Sequence, residues 1–328
     1  MFHKLLILLL AVLALPAAAQ VYSTADPLAH TFSIVARDPK TGEMAVAVQS
    51  HWFSVGTSVS WGEAGVGVVA TQSFTNKSFG LRGLALLKSG KSAQQALDEL
   101  LAADEGREVR QVAILDNQGR VATHTGKKCV DMAGHQQGSQ FSVQANMMLN
   151  NTVWGAMAKA YEASASLPLA ERALAALDAA QGAGGDIRGR QSAALLVVRG
   201  TATEGPWADR LVDLRVEDSD KPLVELRRLL QLHRAYDHMN AGDLAVEKND
   251  MPTAIREYQA AEKMFPQNLE MKYWHAITLA NKQQVPAALA LLRPIFKQEP
   301  NWRVLTQRLP KVGLLTVTAA ELKQILAL

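Results

Sequence analysis

Thr31-Phe-Ser-Ile-Val-Ala-Arg-Asp-Pro-Lys-Thr-Gly-Glu-Met-Ala-Val-Ala-Val48 holds two short apolar runs, Phe32–Ala36 and Met44–Val48, on either side of the turn signal Asp38–Gly42. Runs of this length, rich in β-branched and small apolar residues and bounded by Asp, Pro and Gly, predict consecutive strands. The pattern recurs at Val66–Ala70, Val109–Leu115 and Ala193–Val198, with turn signals at Asp116–Gly119 and Gly182–Asp186. Between the third and fourth runs, Leu81–Leu101 carries apolar residues at helical spacing, and Val153–Ala165 and Pro168–Gln181 form a second helical pair. Helical inserts within a series of strands predict an α+β domain whose sheet layers are covered by helices.

Near residues 217–221 the hydrophobic period changes and the chain becomes helical. Gly242, Ala245, Ala254, Tyr258, Ala261 and Pro266 are matched 34 residues on by Ala276, Leu279, Ala288, Leu292, Ile295 and Pro300. That period, with small residues where two helices approach and a proline closing the second, is the tetratricopeptide pattern. Two repeats are marginal alone, so the helices Pro222–Met239 and Ala319–Leu328 are expected to cap them. His275, beside Ala276, reads as a core or groove histidine.

The chain is long enough for two domains: 328 residues, 48% hydrophobic and 20% charged, a globular composition. A net charge of +3 without a basic run gives no footprint for nucleic acid. The single cysteine, Cys129, forms no internal disulfide and reads as a small buried apolar residue. At the N-terminus, Lys4, the apolar stretch Leu5–Leu15 and Ala17-x-Ala19 make the three parts of a secretory signal. The apolar stretch is about half the ~20 residues a membrane span needs, so cleavage after Ala19 and a periplasmic or secreted product without stable membrane insertion are expected. The resulting divisions are a signal peptide at 1–19, a leader at 20–30, an α+β domain at 31–217 and a helical domain at 218–328.

His30, His51, His124 and His135 are scattered without metal-ligand spacing, so no metal site is expected. Phosphate-loop, dinucleotide and serine-elbow motifs are missing, and no cofactor is implied. What stands out is a set of polar residues at strand ends: Thr31, Gln49-Ser-His51, Thr71–Asn76, His124-Thr-Gly126, Gln144-Ala-Asn146 and Gly184–Ser192. Side chains there project into the space enclosed by connecting loops, where sites usually lie.

Four of these stretches carry a resemblance. Thr31-Phe-Ser-Ile-Val-Ala-Arg-Asp-Pro39, Val46-Ala-Val-Gln-Ser-His-Trp-Phe-Ser-Val-Gly56, Ala64-Gly-Val-Gly-Val-Val-Ala-Thr-Gln72 and Gly184-Gly-Asp-Ile-Arg-Gly-Arg-Gln-Ser-Ala-Ala194 resemble, in order, the family called domain of unknown function 1028, over about residues 30–217. That family is similar to the N-terminal-nucleophile hydrolases. The resemblance implies a four-layer αββα sandwich, amide or peptide-bond hydrolysis and a small amide or peptide-like substrate. It makes Thr31 the nucleophile, with its own freed α-amine, reference pKa ~8, as the base. It makes Asn76 and Asn146 donors to an oxyanion, gives Ser50 or His51 the task of orienting the nucleophile's proton, and has Asp186 and Arg188 hold a substrate amine or carboxylate.

Each of these residues also has a plain structural reading. Thr31 is a normal strand residue, Asn76 and Asn146 are turn-cappers, and Asp186 with Arg188 is an ion pair that fixes a turn. The alternating charges of Asp209–Arg215 read as pairing along a strand. Many relatives expose the threonine by losing an initiator methionine, whereas here signal cleavage leaves Gln20–His30 in front of Thr31, so a second cut is needed. The sequence also lacks the glycine usual before Asn146, which narrows the pocket. Three functional readings follow: an exported amide hydrolase with a tail that binds a protein partner, a non-catalytic ligand-binding or assembly protein on the same sandwich, and a tail that serves packing alone.

Overall fold

A computed structural model of the protein describes residues 28, 29 and 31–328. The expected signal peptide and most of the leader lie outside the described residues. The chain divides into two compact units, with the division between Leu223 and Val224.

The first unit opens with β1 (Leu28–Ala29), β2 (Thr31–Arg37), β3 (Met44–Ser50), the short α1 (Gly56–Val59), β4 (Ser60–Glu63) and β5 (Gly67–Phe74). Helices α2 (Ser78–Lys88) and α3 (Ala93–Ala102) follow, then β6 (Arg110–Asp116), β7 (Val121–Thr125), β8 (Gly134–Gly138) and β9 (Phe141–Ala145). It ends with α4 (Val153–Ala163), α5 (Leu169–Gly182), β10 (Ser192–Val198) and β11 (Arg210–Val216). The strands form two antiparallel sheets. One runs β11-β10-β3-β2-β9-β8; in the other, β5 pairs with β6, which pairs with β7, while β4 and β1 share the free side of β5.

The period of two in each strand decides what lies between the sheets. Val35 of β2, Val46 and Val48 of β3, and Ala194 and Leu196 of β10 share one buried cluster with Val68 and Ala70 of β5 and Ala113 and Leu115 of β6. The alternate residues of the second sheet, Val69, Val112 and Ile114, pack on Phe79 and Leu84 of α2 and Leu97 and Leu100 of α3. On the first sheet, α5 packs against β2 and β3, and α4 against β8 and β9.

The helical stretch expected over Leu81–Leu101 forms two helices. Gly90, at φ +94, breaks it, and a capping box between Ser92 and Gln95 restarts it as α3. Strands β4, β7, β8 and β9 were not expected, because they hold too few apolar residues to form a run. In β9 only Phe141, Val143 and Ala145 are apolar, and Ser142 and Gln144 face a polar part of the interior.

The second unit contains α6, which spans Pro222–Glu247, then α7 (Met251–Met264), α8 (Leu269–Asn281), α9 (Val285–Gln298), α10 (Asn301–Arg308) and α11 (Ala319–Leu326). Its geometry repeats at the 34-residue offset. Asn249 and Gln283 are both left-handed, at φ +57 and +61, in the turns before α7 and α9, and both helices carry proline in their first turn. Ala254 and Ala288 are both fully buried. A Cβ at Gly242 would lie 2.6 Å from the Tyr258 ring, so α6 passes α7 where only glycine fits. His275 is buried, stacked on Tyr258, with Nδ1 2.6 Å from Glu262 Oε1. Among the described residues, no helix is long and apolar enough to cross a membrane.

Candidate functional site

At one end of the space between the sheets the inward-facing residues change from apolar to polar. Along β2 the inward series is Val35, Ser33, Thr31, and the facing strands change in step. Gln72 follows Ala70 in β5, Gln111 precedes Ala113 in β6, and Gln144 and Asn146 sit at the end of β9. All six polar residues are fully buried. Burial of amides and hydroxyls is tolerable only if they bond one another, and they do.

Ser33 Oγ donates to Gln72 Oε1 at 2.6 Å and accepts from Gln144 Nε2 at 2.6 Å. Gln72 Nε2 donates to Gln111 Oε1 at 2.7 Å, and Asn146 Nδ2 donates to the same oxygen at 2.9 Å. Gln111 Nε2 in turn donates to Thr125 Oγ1 and the carbonyl oxygen of Ala145, both at 2.9 Å. Gln111 therefore fixes which way the carboxamides of Gln72 and Asn146 point. Their NH2 groups, with the Asn146 backbone N–H, converge on the carbonyl oxygen of Thr31, at 3.2 Å from Gln72, 3.4 Å from Asn146 Nδ2 and 3.1 Å from Asn146 N.

Thr31 heads β2 and is 0% exposed. It is paired with Ser50, the last residue of β3, which is paired on its other side with Ser192, the first residue of β10. Directly opposed residues share a face, so three hydroxyl side chains form a row at this end. Ser192 Oγ accepts from the Val55 N–H and donates to the Trp52 carbonyl, which ties down the turn leaving β3.

The expected ligand-holding residues form an adjoining clasp. The Asp186 side chain is 0% exposed, and its oxygens accept from the backbone N–H of His51 at 3.2 Å and from Arg188 through N, Nε and Nη2 at 2.9, 3.0 and 2.7 Å. Asp186 is thus saturated within the chain, while Arg188 keeps 26% of its side chain exposed. The His51 ring contacts the Arg190 carbonyl through Nδ1 at 3.3 Å. A bridge between Met148 and Asp186 joins the clasp to the segment that follows Asn146. Gly184, Gly185 and Gly189 adopt φ of +123, +62 and +119, which explains why this turn is glycine-rich. Two non-glycine residues flank the site in the left-handed region, Ser73 at φ +70 and Met147 at φ +57. Such conformations cost about 1–3 kcal/mol and gather at functional sites.

The structure brings together Thr31, Ser50 and Asn146, with His51, Asp186 and Arg188 beside them. It does not bring in Asn76. The Asn76 Oδ1 accepts from Ser78 N and Oγ, two residues on, in the turn that leads into α2. Cys129 is buried, donates to the Arg110 carbonyl at 3.4 Å, and burial pushes its thiol up. His135 touches Thr125 Oγ1 at the far end of the amide network, and burial, with the nearby His124, lowers its pKa. No group of three or more metal-ligating side chains occurs among the described residues. Gln111 and Ser33 are the residues sequence reasoning missed; the available signal was an amide or hydroxyl at an inward position of otherwise apolar strands.

These features define an α+β protein of two antiparallel sheets with a polar site at one end of their interface and a helical region after it. The chain belongs to the Family of unknown function (DUF1028), whose model matches residues 31–226. It is similar to a protein from Silicibacter pomeroyi solved by crystallography and described under the same family, with 34% identity and a TM-score of 0.56 over 62% of this chain and 88% of that one. No curated protein matches the chain.

Proposed function

We propose that this is an exported amide or peptide-bond hydrolase of N-terminal-nucleophile type, built on a four-layer αββα sandwich with a tetratricopeptide-like tail, and that the described chain is its uncut form. The observation that carries the reading is the setting of Thr31: first residue of β2, in a row with Ser50 and Ser192, beneath amide donors held by Gln111. Behind it the chain returns to β1, whose Leu28 and Ala29 pair with Phe74 and Ser73 of the other sheet.

A cut at His30–Thr31 frees the α-amine. That amine accepts the Oγ1 proton as Oγ1 bonds to the substrate carbonyl carbon. The carbonyl oxygen becomes an oxyanion, and Asn146 Nδ2, 3.4 Å from the Thr31 carbonyl oxygen, turns to donate to it. The C–N bond breaks, the leaving amine takes the proton, and water hydrolyses the ester on Oγ1 to regenerate the threonine. Arg188, the exposed member of the clasp, meets a substrate carboxylate. We assign no chemical role to Asn76. For the tail, the repeated left-handed turn residues, first-turn prolines and buried alanines at the 34-residue offset support a repeat that binds a protein partner.

A second reading, a non-catalytic ligand-binding or assembly protein, is favoured by the complete burial of Thr31 and the engagement of its neighbouring amides with its own carbonyl. Intact-mass analysis of exported protein beside an amide-hydrolysis assay separates the two. The hydrolase reading expects a fraction beginning at Thr31 that carries the activity. Inactive protein that always begins at Gln20 supports the binding reading, and active protein that always begins at Gln20 refutes an N-terminal nucleophile.

A further inference from the structure

At the opposite end of β2 from Thr31, six residues or about 20 Å along the strand, a cavity of about 480 Å³ is lined by Arg37, Asp38, Lys40, Ser166, Pro168 and Arg172, among others. Arg172 is the unusual member. Its side chain is only 11% exposed, yet among the described residues its contacts are the face of Tyr161, 4.1 Å from the guanidinium carbon, and Asp38 Oδ2 at 3.9 Å. The latter is too long for a hydrogen bond. Its Nε is buried without a partner. Arg37 Nη1 donates to Gln140 Oε1 at 2.6 Å, but Arg37 Nε is likewise buried and unpartnered.

Two guanidinium groups with unanswered buried donors border one cavity, and Lys40 adds a third positive charge. The single carboxylate there, Asp38, is held in its own turn, where Oδ1 accepts from the N–H groups of Lys40 and Thr41. The cavity wall also includes the start of α5, whose N-cap is Pro168 and offers no side-chain cap, so the first-turn N–H groups have no acceptor within the helix. The buried Nε atoms are closed off from the cavity, so a ligand oxyanion there would be held by the charge of the guanidinium groups that line it, by Lys40 and by the start of α5.

We propose that this cavity binds an oxyanion, the phosphate or carboxylate group of a small molecule, between Arg37 and Arg172 at the N-terminus of α5. The site is remote from Thr31 and does not rest on the hydrolase reading.

The test is calorimetric titration of the intact mature protein with inorganic phosphate and, separately, with succinate, against sodium chloride at matched ionic strength. One saturable site per chain is expected, weakened at least about tenfold in Arg172→Met, the loss expected from one charge-assisted pair. Without the anion, Arg172→Met exchanges the Tyr161 stacking and the long ion pair with Asp38 for relief of a buried unpartnered Nε, so it should melt within a few degrees of the parent. Lys40→Ala, at an exposed position, is the second variant and should weaken binding several-fold even if Arg172→Met does not fold. Tighter binding of phosphate than succinate points to a phosphorylated ligand, and the reverse to a carboxylate. Stabilisation that is unsaturable and equal in chloride, or parental affinity in Lys40→Ala and any folded Arg172→Met, overturns the proposal.

Discussion

Gln111→Met removes the centre of the buried amide network while keeping most of the side-chain volume, so the effect is a loss of hydrogen bonds and not a cavity. Two donors lose their shortest acceptor. Gln72 Nε2 retains the Thr31 and Gln144 carbonyls at 3.2 and 3.4 Å, and Asn146 Nδ2 retains the Thr31 carbonyl at 3.4 Å. The bonds to Thr125 Oγ1 and the carbonyls of Gly134 and Ala145 also disappear. Each of the five lost bonds contributes ~0.5–1.5 kcal/mol, so the sum is roughly 2.5–7.5 kcal/mol. That is a large part of the ~5–15 kcal/mol that holds a domain folded. At about 2–4 °C per kcal/mol for a unit of this size, the melting temperature should fall by about 5–30 °C.

The assay is thermal and urea unfolding of the mature protein followed by circular dichroism, with Gln49→Met beside it. Gln49 lies on the helix-facing side of β3 and makes one side-chain bond, to Gln181 at 2.7 Å, so its loss should cost about 1 kcal/mol. If Gln111→Met melts within about 2 °C of the parent, or no lower than Gln49→Met, the amide network is not a cooperative structure and the reasoning that assigns Gln111 the orientation of Asn146 fails.

Thr31→Ala should abolish amide hydrolysis by exported protein with a stability loss of about 1–2 kcal/mol, read by turnover and melting together; normal turnover would rule out the nucleophile. Asn146→Ala should lower kcat about a hundredfold with little change in KM, and a change confined to KM would remove the oxyanion role. Gly242→Ala should destabilise the helical unit by about 1–3 kcal/mol, because the new methyl meets Tyr258 at 2.6 Å, and unfolding of that unit by urea measures it. Burial opposes ionisation of Asp104, but its bond from Arg110 at 2.8 Å holds its pKa below the usual 3.8. A depressed carboxyl stabilises the fold above pH 3.8 and loses that contribution as pH falls through the folded value, so Asp104→Asn should lower stability at pH 7 and flatten the acid limb below pH 4. An unchanged acid limb in that variant would refute the assignment.

The strands that were legible, β2, β3, β5, β6 and β10, are those whose two faces both meet apolar partners, so they read as continuous runs. Strands β7, β8 and β9 were not, for a reason that belongs to the site. Their inward positions serve the polar network, as Thr125, Ser142 and Gln144 do, and polar inward residues erase the run that marks a strand. The site was half legible for the same reason. Gln72, Gln144 and Asn146 stand out as polar residues at strand ends, but that they face one another across two sheets, through Gln111, depends on pairings between residues 35–111 positions apart. The Arg37–Arg172 cavity was not legible at all, since 135 residues separate arginines that each read as ordinary surface charge. The helical character of the tail was legible, because helices form on short-range contacts and leave apolar residues at helical spacing in the sequence.

The interface between the sheets thus divides its labour along β2. The Val35 end is a dry apolar cluster that holds the layers together, and the Thr31 end gives up apolar burial for amides whose directions are fixed by one another. Polar groups at that depth contribute less to stability than the valines they stand in place of, and they are kept orderly by sharing acceptors. The chain crosses between sheets at this end, from β1 on one to β2 on the other. A cut at His30–Thr31 would sever that covalent bridge between the β5 pairing of Leu28 and Ala29 and the β3 pairing of Thr31. On the hydrolase reading, one cut therefore frees the nucleophile's amine and breaks the covalent link between the two sheets at the same place.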